Sequence, residues 1–371
     1  MKPTCKIIAI ATVVLNTARL CLAHEGAPAS VPAETNQVTP MKIEAETKGG
    51  VKAPRLEGAQ VVSGQGYWKF TAATNLVPVP AGAQPKLKGA HGTIIVDSEH
   101  DTVYWGLQGV GWIGFSNKLA NSWIVPGDPM FSHGNLHGAD LIHRRGKLPL
   151  VAVADNVDGQ VYLSDTSFQN ARKLDWPQAG PYHDKKEFHP TDVAFVDAKN
   201  IFITDGYGAA FIMPATTDPF AYTGTFLGGK DLSKTPHGVT YSPSDKTLIV
   251  AARPEGQIKR WLINKQRWLE TLGLPAGSTV CDIDLWGDYA LAPCLDGPDK
   301  KPGPIYILNL KKKTIVSIIR PKEDLHFTEA QHIHDAAWYV TGKGDKQEVY
   351  IVFTNWNPGG VGALQLVSAA D

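Results

Sequence analysis

The sequence predicts an all-β chain folded as a six-bladed β-propeller, and three observations predict it. Six segments open alike, at His91, His137, His189, His237, Cys281 and His334, separated by 44 to 53 residues. Each opening leads into an apolar run, a polar turn and a second apolar run, then a Gly- or Pro-containing loop and a third strand. Four short strands in 45–50 residues make one propeller blade, and a recurring period of that length marks an array rather than a generic sandwich. Glycine (36) and proline (26) are frequent and long amphipathic helical periods are scarce, as many strands joined by turns require.

From the N-terminus, Lys2 and Lys6 precede the apolar stretch 7–15, and Leu20-Cys21-Leu22-Ala23 ends in a signal-peptidase-like site before His24. Residues 1–23 are therefore expected to be a signal peptide and the mature chain secreted or periplasmic. Asn16 and Arg19 interrupt the stretch well short of the roughly 20 apolar residues a span needs, so no membrane span is expected in the mature chain. Residues 24–60, rich in Ala, Pro, Thr and Glu, read as a disordered tether, and 61–371 as the propeller. The 36 Lys+Arg and 36 Asp+Glu cancel, which gives no electrostatic footprint for nucleic acid. The expected partner is a small-molecule or peptide substrate, and the expected state a monomer.

Cleavage would leave Cys281 and Cys294. The intervening CDIDLWGDYALAPC reads as a hairpin with Gly287-Asp288 at its tip. Counting back from a two-residue turn sets 281 opposite 294 at a non-hydrogen-bonded pair, near enough for a disulfide.

The first strand of a blade lines the central channel, so the openings and the loops after each second strand surround one axial pocket. The histidines of alternate blades, His137, His237 and His334, are related by approximate threefold symmetry. Three imidazoles converging from one face suit zinc with an open fourth position, whereas a single such histidine more often braces a neighbouring blade. His91 and His189 could form a second ring or turn aside to pack, and His133 and His332 are alternative ligands. The loops bring Asp155, Asn156, Asp205, Tyr207, Arg253, Asp296 and Trp356 to the same face. Asp335 reads either as an acceptor orienting a ligand imidazole or as a turn cap, Asp205 as a brace of its turn, and Trp356 as a substrate platform or a packing residue. A structural calcium ion stays open.

The segment PTDVAFVDAKNIFITDGYG (190–208) resembles an NHL-type repeat. More specifically, PTDVAF…ITDGY, PHG…AAR and IHD, preceded by LHGADLI, follow the order found in the catalytic core of peptidyl-α-hydroxyglycine α-amidating lyase (peptidylamidoglycolate lyase). That resemblance implies zinc on His137, His237 and His334, a catalytic tyrosine at Tyr207 and a catalytic arginine at Arg253. It implies cleavage of a peptidyl-hydroxyglycine to an amide and glyoxylate, with the arginine lowering the tyrosine's pKa. A further arginine of that family, in its first blade, falls on WGLQGVGW (105–112), which has none. The rival readings are a metal-stabilised binding module without turnover and a propeller enzyme of another chemistry, such as a calcium-dependent lactonase.

Overall fold

The computed structural model describes residues 37–51, 53–55, 61–90 and 92–368. Residues 1–23, expected to be a signal peptide, and His91 lie outside them. No helix among them is long and apolar enough to cross a membrane.

Six antiparallel sheets form six blades. The first strands of the blades touch one another in chain order, and that of blade six returns to that of blade one, closing a ring around an axis. Blade two shows the plan: Leu136–Arg144 lines the axis, then Lys147–Asp155, Gln160–Asp165 and Arg172–Leu174 step outward. Blade one runs Ile94–Asp97, Thr102–Leu107, Gly111–Ser116 and Asn121–Ile124 in the same order. Blades three, four and five begin at Asp192–Asp197, Pro236–Ser242 and Asp284–Trp286.

The apolar runs are continuous because a strand's residues point alternately to its two faces and each face meets another blade. In blade two, Val151 and Val153 pack towards blade one against Tyr104 and Trp112. Ala152 and Ala154 pack towards blade three against Val193 and Ile201. The same arrangement recurs at every blade junction, giving six apolar layers. Trp68, Trp105 and Trp112 are each about 99–100% buried within them, and a large side chain buried to that degree contributes roughly 2–3 kcal/mol.

Closure uses the N-terminal part of the chain. Trp68–Ala72 pairs antiparallel with Gly360–Val367, and Ser63–Gln65 completes the outer side of blade six. Upstream, Val38–Pro40 pairs in parallel with Thr271–Gly273 of blade four, and Lys42–Ile43 with Thr314–Ile315 of blade five. This part of the expected tether is thus docked on two blades, and the ordered domain begins earlier than residue 61. Glu46 pins the crossing: its carboxylate accepts hydrogen bonds from Tyr289 Oη (2.7 Å), Asn309 Nδ2 (3.0 Å) and Lys312 Nζ (2.8 Å).

The expected Cys281–Cys294 disulfide is absent; both thiols are free and buried. The hairpin register holds at Asp284↔Leu291 and Trp286↔Tyr289, but slips by one nearer the axis, where Val280 rather than Cys281 faces Cys294. The slip sends the two sulfurs apart. Cys281 lines the axis, while Cys294 packs with Ile249, Val280 and Tyr306 between blades four and five.

Candidate functional site

The opening histidines of blades two, four and six meet on the axis. Their ligand-capable nitrogens lie within 4.8 Å of one another, with ring centroids 4.6 to 5.0 Å apart and edges turned to faces. All three side chains are 97–98% buried. The even blades carry this site because the odd blades hold it. His137 Nδ1 is bonded to the Thr191 carbonyl of blade three (2.7 Å), and His237 Nδ1 to the Cys281 carbonyl of blade five (2.8 Å). A carbonyl only accepts, so both rings carry their proton on Nδ1 and present Nε2 as a lone pair. The glycine after each histidine follows from the same contact. A Cβ at Gly138 would lie 2.3 Å from Thr191 O, and one at Gly238 2.6 Å from Cys281 O.

Tyr207 closes the site from the pocket side. Its hydroxyl lies 3.1 Å from His137 Nε2 and 2.9 Å from His237 Nε2, and accepts from Arg253 Nη1 at 2.8 Å. The guanidinium also lies over the ring, 4.9 Å from its centroid. One hydroxyl hydrogen faces two imidazole lone pairs, with a third imidazole beside them. Three imidazoles converge there, two of them presenting Nε2, so the residues fit zinc in donor type and number. Burial pushes the Tyr207 phenol above its ordinary range, and the Arg253 charge opposes this without overcoming it. The arginine effect expected from the sequence is therefore present but outweighed. Tyr207 as a whole is 36% exposed, while its hydroxyl sits among the histidines, which is why burial dominates.

The Tyr207 turn is rigid. Asp205, fully buried, accepts from His189 N (2.7 Å), Ala209 N (2.6 Å) and Tyr182 Oη (2.7 Å). Asp155 has the equivalent brace in blade two, accepting from the Asn135, Val157 and Asp158 amides and from Tyr162 Oη. Asp155 is thus a brace rather than a pocket wall, and Asn156 Oδ1 accepts from Asn135 Nδ2.

Other candidates fall elsewhere. His189 turns aside, with Nδ1 2.9 Å from Asn156 O and Nε2 3.1 Å from Lys186 O. His133 is exposed at the end of a short 3-10 turn, outside the cluster. His332 also lies outside it, with Nε2 3.7 Å from Asp296 Oδ1 and its ring 5.7 Å from that of Trp356. Asp335 fills neither expected role: Oδ2 accepts the Ile94 amide of blade one at 2.7 Å, joining the last blade to the first.

That contact belongs to a set not anticipated from the sequence. Asp140, Asp192 and Asp284 likewise accept the Phe195, Val239 and Trp338 amides of the next blade, each at 2.7 Å. All of them, with Asp282, line a cavity of about 410 Å³ on the far side of the histidines. Burial raises their pKa values, Asp140 to about 6 and Asp284 and Asp335 to about 7, with Asp192 and Asp282 well above the carboxylate range. The signal was an aspartate three residues after His137, His189 and Cys281.

No protein-family model matches the chain, and no curated protein matches it. Among solved structures it is similar to a chain in the crystal structure of a nidogen/laminin complex, at 12% identity and a TM-score of 0.50, over 76% of this chain and 98% of that one. It also overlaps Saccharomyces cerevisiae Sqt1, at 8% identity and a TM-score of 0.44, over 72% of this chain and 69% of that one. With the sheet order and the ring of first strands, the chain is a six-bladed β-propeller.

Proposed function

We propose that the chain is an exported, zinc-dependent lyase that cleaves an α-hydroxyglycine-like carbinolamide into an amide and glyoxylate. The observation that carries this reading is the Tyr207 hydroxyl, held between two imidazole Nε2 atoms and the Arg253 guanidinium. A zinc ion held by His137, His237 and His334 would supply positive charge that stabilises the carbinol oxygen and the Tyr207 phenolate alike. As phenolate, Tyr207 takes the proton of the carbinol hydroxyl. The oxygen's electron pair then forms the aldehyde C=O as the C–N pair leaves on nitrogen, and Tyr207 returns the proton to that nitrogen. Arg253 holds the phenolate in place through its hydrogen bond and its charge.

The test is elemental analysis followed by turnover. Purified protein is expected to hold about one zinc per chain, to lose it in His237→Ala, and to release glyoxylate from α-hydroxyhippurate. Tyr207→Phe should keep the zinc and lose roughly 10²–10⁴ in kcat, the usual weight of a positioned acid–base group. Zinc-loaded protein that releases no glyoxylate overturns the lyase reading. It would favour a metal-stabilised binding module, a reading supported by blade one. There Gly106 packs against blade two, with a Cβ only 2.7 Å from Leu136 Cβ, Leu107 packs towards blade six, and residues 105–112 include no arginine.

A further inference from the structure

We infer that the mouth of the axial pocket carries a subsite for an aromatic acyl group, with the Trp356 indole as its platform; the inference rests on the carbinolamide reading. Few large apolar side chains are exposed among the described residues, yet three of them, Val157, Tyr207 and Trp356, sit on loops that follow second strands, the face bearing the histidines. Turns on the opposite face, such as Arg144-Arg145-Gly146-Lys147 and Ser242-Pro243-Ser244-Asp245, are mainly polar, with Leu148 exposed beside the first. The apolar rim therefore belongs to the pocket.

Trp356 is the largest member, 42% exposed, although burying an indole is worth a few kcal/mol. The residue is nonetheless fixed. Its amide donates to the His332 carbonyl at 2.9 Å, and the preceding Asn355 is buried with its Oδ1 accepting the Gly359 amide. The His332 ring lies 5.7 Å from the indole at 48°, and its Nε2 is 3.7 Å from Asp296 Oδ1. A rigid aromatic surface loses little entropy when a ligand covers it.

The spacing fits an acyl group. His332 precedes the axial His334 by two residues, a rise of about 6–7 Å in extended chain, and its ring lies 5.7 Å from the Trp356 indole. An amide bearing a phenyl ring covers about that distance from its carbinol carbon. With the carbinol at Tyr207, the inferred subsite takes the ring of a benzoyl group, which an acetyl group lacks. Asp296 beside the platform disfavours an acyl group that is itself anionic.

The experiment compares α-hydroxyhippurate with N-acetyl-α-hydroxyglycine as substrates of zinc-loaded protein. In parallel, calorimetry measures binding of hippurate and N-acetylglycine, which lack the hydroxyl and cannot react. The benzoyl compound should be favoured about tenfold in kcat/KM, the scale of one aromatic contact. Trp356→Ala should bring that ratio close to one, and Trp356→Phe should keep most of it. The affinity ratio of the two unreactive compounds should change in the same way. A ratio unaffected by Trp356→Ala, in turnover or in binding, overturns the subsite. If wild-type protein turns over neither substrate, the lyase reading falls, while the binding ratio and its response to Trp356→Ala still decide the subsite.

Discussion

Replacing Asp284 by Asn should stabilise the protein at alkaline pH and leave it little changed in acid. Asp284 lies in the far cavity, where its Oδ2 accepts the Trp338 amide of blade six. Burial, and secondarily the charge of Asp140, raise its pKa from 3.8 to about 7. The folded protein thus keeps a proton that the unfolded chain has released. Between pH 3.8 and about 7 the native state binds the extra proton, so stability falls as pH rises through that window. At 1.36 kcal/mol per unit, the ceiling is about 4 kcal/mol at pH 8. The cavity opens to solvent, and water screening reduces this to about 2 kcal/mol. Asn retains a carbonyl oxygen for the Trp338 amide and removes the charge. In thermal melts with chelator present, Asp284→Asn should melt about 4 °C higher than wild type at pH 8, with the gain shrinking towards zero near pH 4. A variant less stable than wild type at pH 8, or shifted equally at both pH values, would refute the reasoning. It would mean that folding does not raise the Asp284 pKa above its value in the unfolded chain.

Three further outcomes are expected. Glu46→Ala should cost about 2 kcal/mol in urea unfolding, since the carboxylate receives three hydrogen bonds across the N-terminal crossing; a loss under 0.5 kcal/mol would show that the crossing is not stabilising. The hydrogen bonds of Lys312, Tyr289 and Asn309 outweigh burial and hold Glu46 below its ordinary pKa, so this contribution should fade as pH falls through the carboxylate range. Gly206→Ala should lower kcat at least tenfold, because its Cβ would lie 2.6 Å from Thr191 Oγ1 and 2.7 Å from Pro236 O and would displace Tyr207; unchanged turnover would show that the turn yields. Cys281 and Cys294, both 0% exposed thiols, should resist alkylation in native protein and react in denaturant without reductant, as peptide mass mapping would show.

The blade count was legible because each blade repeats one chemical requirement. A first strand must begin at the axis, and the His-Gly openings mark where it does so. The convergence of His137, His237 and His334 beside Tyr207 and Arg253 follows from that register alone. What stayed hidden depends on neighbours distant in sequence. The strands at 38–43 are three and two residues long and add in parallel to outer edges, so they carry neither the length nor the alternation that marks a strand. The hairpin count that paired Cys281 with Cys294 assumed an unbroken ladder, and one slipped residue between Asp284 and Val280 undid it. Asp335 looked local because it follows His334, yet its partner Ile94 is 241 residues away. The role of the odd openings was missed for a related reason. Thr191 and Cys281 act through backbone carbonyls, which no residue type announces.

The N-terminal crossing also fixes an order of events in biosynthesis. Val38–Pro40 has no strand partner until residues 271–273 exist, Lys42–Ile43 waits for 314–315, and Trp68–Ala72 waits for 364–367. A growing chain is therefore an open arc of blades whose first segment is still unpaired, and the ring shuts only once residues 364–367 have emerged. Until then both ends of the arc are bare sheet, so assembly of this protein should be slow and sensitive to crowding by other unfinished chains.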